Sequence, residues 1–134
     1  MASKLEKQTV IVREAVDAVV LFVLLGVFAA LYWVVALVAP RKRDGIPGIN
    51  LPEVSATPET WYVAHSAIAP AMKLLAVYAT LVAILIPAVM LAGIEVPGWV
   101  AVAAIAVGLA WFSAQIPRAL KAARHVSTEL TRNC

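Results

Sequence analysis

The chain has 134 residues, 63% hydrophobic and 14% charged, with 11 Lys and Arg against 8 Asp and Glu, and a mean hydropathy of +0.89. A water-soluble domain of this length has apolar content nearer half and charge on every exposed face, so the composition excludes one. The formal net charge of +3 sits beside apolar runs, where basic side chains meet lipid headgroups, so phospholipids and not nucleic acid are the expected partners.

Charges fall in residues 4 to 17, 41 to 59 and 118 to 132, with Lys73 and Glu95 isolated between them. Long uncharged windows between charged punctuation predict an all-α, polytopic membrane protein with three transmembrane helices. Residues 1 to 17 are expected to form a short amphipathic helix, either lying on the headgroups or extending the first span. Ser3 and Glu6 have capping-box spacing, and Leu5, Val10, Val12 and Val16 are interspersed with Lys4, Lys7, Arg13, Glu14 and Asp17.

The first span covers residues 18 to 39, which hold no charge over 22 positions. At 1.5 Å per residue they reach about 33 Å, enough for a hydrocarbon core of about 30 Å. The run is too long for the apolar region of a signal peptide, its leader is acidic as well as basic, and Pro40 follows at once. It is therefore read as a retained span.

Residues 40 to 65 form a Pro/Gly-rich loop. Arg41, Lys42 and Arg43 stop and anchor the first helix, and Pro40, Pro47, Pro52 and Pro58 with Gly45 and Gly48 prevent a long helix or strand. Its apolar residues Ile46, Ile49, Leu51 and Val54 predict docking, with a partner subunit as the expected surface. Trp61 and Tyr62 are expected at the interface.

The second span is expected over residues 66 to 92. Pro70 would lie in its first turn, Lys73 would snorkel to the headgroups, and Pro87 would kink it. A turn at residues 93 to 95 leads to the third span, residues 96 to 117. There Ala106, Ala110 and Ala114 recur at four-residue spacing, as do Ala104 and Gly108, and such faces let helices approach closely in lipid. Residues 118 to 134 are a basic, helix-prone tail ending in Cys134, which has no second cysteine to bridge to.

Of the Lys and Arg residues, Lys4, Lys7 and Arg13 fall on one side of the three spans. Arg41, Lys42, Arg43, Lys73, Arg118, Lys121, Arg124 and Arg132 fall on the other. The positive-inside bias then predicts a multi-pass protein of the cell membrane with its N-terminus outside and its C-terminus cytoplasmic.

The spans contain no mid-membrane Asp, Glu or His, the groups on which proton relays and ion-coupled transporters depend. No phosphate-binding loop, nucleophile elbow or zinc-protease signature occurs. His65 and His125 are the candidate contacts for a haem or quinone; as a haem pair they suffer from unequal depth. The chain is similar in size and span count to the three-span anchors of succinate dehydrogenases and fumarate reductases, and to small subunits of terminal oxidases.

The expected function is that of a non-catalytic accessory subunit in a larger membrane complex, with a respiratory electron-transport complex such as a terminal oxidase as the expected setting. Its partners would be other integral membrane subunits. It would hold no cofactor of its own, and any haem or quinone would belong to those partners. The alternatives are a self-assembling, holin-like pore, and a haem- or quinone-binding anchor subunit of an oxidoreductase.

Overall fold

The computed structural model describes residues 2–41 and 47–134, and among them the regular elements are all helices. These are α1 (Ala2–Leu37), α2 (Pro52–Ser55), α3 (Pro58–Leu91) and α4 (Gly98–Arg132). Three of them, α1, α3 and α4, are long and apolar enough to cross a membrane. The all-α, three-span fold expected from the hydropathy pattern is the fold observed.

α3 is the middle helix, and α1 and α4 both pack on it. The end of α1 meets the start of α3, where the Trp61 Nε1–H donates to the Ala39 carbonyl at 2.9 Å. At the other end, Glu14 of α1 lines one cavity with Met90 and Gly93. α1 and α3 are therefore antiparallel. The α3–α4 turn is tight because Gly93 takes φ +83°, a left-handed conformation that side chains resist.

The buried positions recur at helical spacing. α1 contributes Ala18, Leu25, Ala29, Tyr32, Val35 and Ala36, and α4 contributes Ala101, Gly108, Gln115, Ala119 and Ala123. Steps of three, four and seven residues keep one stripe toward a neighbouring helix. Elsewhere the surface is apolar, with Val19, Phe22, Val23, Leu81, Ile84, Leu85 and Val102 all more than half exposed. A lipid solvent tolerates such a surface and water does not.

The helices are longer than the sequence pattern suggested. At 36, 34 and 35 residues each is about 50 Å long, some 20 Å beyond a hydrocarbon core. Of the two expectations for the N-terminal segment, the helical extension of the first span is the one found for residues 2 to 17: α1 runs unbroken from Ala2 and places Ser3 inside the helix rather than at its cap. α3 starts at Pro58 rather than at residue 66. Thr57 and Thr60 satisfy each other's backbone donors in a capping box there, and Pro58 takes the first-turn role expected of Pro70. α4 passes through Pro117 and absorbs the tail to Arg132. A proline costs one backbone hydrogen bond but does not end a helix that its neighbours hold.

The two small-residue rows of α4 face different ways. Ala104 and Gly108 turn inward: the Ala104 carbonyl accepts from Tyr78 Oη at 3.0 Å, and Gly108 is buried against Tyr32 and Leu75. Ala106, Ala110 and Ala114 are exposed. Gly108→Leu should therefore break the chain's own bundle, lowering its unfolding free energy in detergent by about 1–3 kcal/mol through overpacking. Ala110→Leu should change it by less than about 0.5 kcal/mol, the usual scale for an exposed site. Thermal unfolding of the two purified variants separates these outcomes.

Candidate functional site: a histidine clamp at the basic end

The most completely buried large side chains are Trp61, Ile68, Met72, His65, Val54 and Thr60. All lie on the first half of α3 or on α2, at the end of the bundle that carries the basic residues. The capping box at Thr57 fixes where α3 begins, and the i, i+4 spacing then stacks Trp61 under His65, with ring centroids 4.0 Å apart. Trp61 is 1% exposed. It is thus a core plug, not the interface anchor expected, and its N–H reaches the last buried residue after α1, Ala39.

Both nitrogens of His65 are engaged. The Ile49 backbone N–H donates to Nε2 at 3.0 Å, and Nδ1 lies 2.9 Å from the Trp61 carbonyl. A backbone N–H can only donate, so Nε2 must be the acceptor. The ring proton is then on Nδ1, donating to Trp61, and the imidazole is neutral. Gly48 makes this approach possible. A Cβ there would stand 2.5 Å from His65 Nε2 and 3.0 Å from Trp61 Cη2, so only glycine lets the strand of backbone lie across the ring.

The loop consequently docks on the chain itself. Ile49 and Val54 are 4% and 0% exposed, and the Thr60 hydroxyl donates to the Val54 carbonyl at 2.9 Å. The expected destination, a partner subunit, is replaced for these residues by the chain's own helices; Ile46 lies outside the described residues. α2 is tied further by the Arg124–Glu53 ion pair at 3.5 Å, which is exposed and contributes little on its own.

The structure does not bring the two histidines together. His125 is exposed on α4 and faces Glu129 Oε1 at 3.6 Å, while His65 has no lone pair free for an iron. Haem ligation through His65 would require the Ile49 bond to be given up, so the geometry here disfavours the axial-ligand role. Of the topology residues, Arg41, Lys73, Arg118, Lys121 and Arg124 are exposed at this end; Lys42 and Arg43 lie outside the described residues.

Within the spans, the polar groups join helices. Trp33 Nε1 donates to Thr80 Oγ1 at 3.0 Å, linking α1 to α3. Tyr78 bonds the Ala104 carbonyl, and Trp111 Nε1 donates to the Ala71 carbonyl at 3.2 Å, both linking α3 to α4. Trp33 is accordingly a cross-link and not a headgroup anchor. Gln115 is buried on α4, bonding the Trp111 carbonyl and the Arg118 guanidinium.

No protein-family model, curated protein or solved structure matches the chain.

The clamp makes a direct prediction. His65→Phe leaves the Ile49 N–H without an acceptor, at about 1–3 kcal/mol, and Gly48→Ala forces the strap off the ring at a similar scale. Both should speed limited proteolysis within residues 47 to 57 in the folded protein. An unchanged cleavage rate would show that the strap is held elsewhere.

Proposed function

We propose that the chain is a non-catalytic assembly subunit of a larger membrane complex. What carries this reading is the commitment of its polar groups: the indoles of Trp33, Trp61 and Trp111, the Tyr78 phenol and the His65 imidazole all bond other parts of the same chain. Groups so engaged hold a shape; they are not poised to transfer a proton or bind an ion.

The free surface supports the same reading. Glu14 lies level with the α3–α4 turn, so residues 3 to 13 of α1 project about 16 Å beyond the bundle. Leu5, Ile11 and Val12 on this arm are each more than 60% exposed. Apolar surface outside the lipid is a usual mark of a protein contact. The similarity in size and span count to small subunits of terminal oxidases makes a respiratory electron-transport complex the first setting to test, with any haem or quinone held by the partner subunits.

Purification in mild detergent at native abundance, followed by mass spectrometry, should return a fixed set of co-migrating membrane subunits. Val12→Asp should remove them while leaving the chain's own thermal unfolding unchanged, because residues 3 to 14 of the arm are all exposed. Return of the isolated chain from wild-type membranes would overturn the reading.

The orientation proposed with it has the N-terminus outside the cell and the basic end in the cytoplasm, from three Lys and Arg residues against eight. Cys134 is the sole cysteine and is exposed, so it reports directly. A membrane-impermeant maleimide should label it in inside-out vesicles and not in intact cells; the reverse pattern would invert the topology.

A further inference from the structure

The Tyr32 hydroxyl, inside the spans, takes no part in the helix cross-links. Tyr32 is 8% exposed, its ring held between Phe28 and Phe112 at centroid distances of 6.5 and 6.2 Å. Among the described residues its hydroxyl has no hydrogen-bond partner, yet the oxygen is not sealed from a water-sized sphere. It lies 3.5 Å from where a Gly108 Cβ would stand, and Gly108 and Tyr32 line one cavity. A phenolic O–H in hydrocarbon without an acceptor is unfavourable, and buried tyrosine hydroxyls ordinarily find one.

The cavity lies where α1, α3 and α4 converge. Leu25 and Tyr32, Tyr78 and Val82, and Ala104 and Gly108 are among its walls, and its volume is about 20 Å³. A cavity needs on the order of 10–15 Å³ to admit one water, which then requires two to four polar partners. Two are present. Tyr32 Oη–H is a free donor. The Tyr78 hydroxyl donates to the Ala104 carbonyl at 3.0 Å, which leaves its own oxygen as an acceptor; the carbonyl itself is filled, since inside α4 it also takes its helical N–H bond.

We propose that this three-helix junction is a binding site for a single water molecule, which accepts from Tyr32 and donates to Tyr78. The space between the walls is of the size one water takes. The bound water adds a second polar link from α1 to α3 beside the Trp33–Thr80 bond, and the Tyr78 hydroxyl carries it on to α4.

The test uses the full chain in lipid nanodiscs, with isotope-labelled Leu, Val and Tyr methyl and ring sites. Water-selective NOE spectra should give a cross-peak at the Val82 and Leu25 methyls, neither of which carries an exchangeable proton. In Tyr32→Phe that peak should fall severalfold while the Trp33 and Trp61 indole resonances stay in place, showing that the fold is kept. Absence of the wild-type cross-peak, its replacement by one from lipid acyl chains, or a peak undiminished in Tyr32→Phe would each overturn the proposal.

Discussion

A hydrogen-bond donor surrounded by hydrocarbon must find its acceptor within the protein, and the bundle is arranged around that constraint. Each tryptophan of the bundle apart from the exposed Trp99 donates to an atom on another segment: Trp33 to Thr80, Trp61 to Ala39, Trp111 to Ala71. Apolar packing between helices gains little from exclusion of water when lipid is the alternative. These directional bonds therefore define which residues of α1, α3 and α4 stand opposite one another, and the alanine and glycine positions allow the close approach that the bonds need.

The constraint bears hardest at the basic end, where irregular backbone meets the mouth of the bundle. Carbonyls and amides there lack helical partners, and the strap supplies them: Ile49 to His65, Thr60 to Val54, Trp61 to Ala39. The result is a small, densely packed cap on the bundle. Its opposite is the other end, where Trp99 is 70% exposed and residues 3 to 14 of α1 are exposed throughout. One end is finished within the chain and the other presents apolar surface to its surroundings.

Fold class and span number were legible because uncharged windows of membrane length admit few other structures. Helix ends were not. Pro70 and Pro117 read as boundaries, since proline removes a backbone bond, but capping at Thr57 and packing through Ala119 and Ala123 outweigh that loss. The clamp was hidden for a different reason. His65 and Trp61 stood out as a polar and an aromatic residue near a membrane mouth, which ordinarily implies contact with headgroups. Only the approach of Gly48 and Ile49, twelve to seventeen residues away in the chain, turns both inward, and spacing alone carries no record of such a contact. The pair Thr57 and Thr60 around Pro58 was the available signal, since it marks a helix start eight residues before the span was drawn.

The unbroken course of α1 has a mechanical consequence. Its 36 residues make a rod of about 54 Å, packed on the bundle over the buried positions Ala18 to Ala36 and exposed over residues 3 to 14. The projecting part is a lever: a tilt of a few degrees imposed at its tip displaces it by about an ångström over its length of roughly 16 Å, and the reaction is borne where the helix leaves the bundle, near Ala18. Any body that grips the tip therefore gains purchase on the interior of the bundle without touching it.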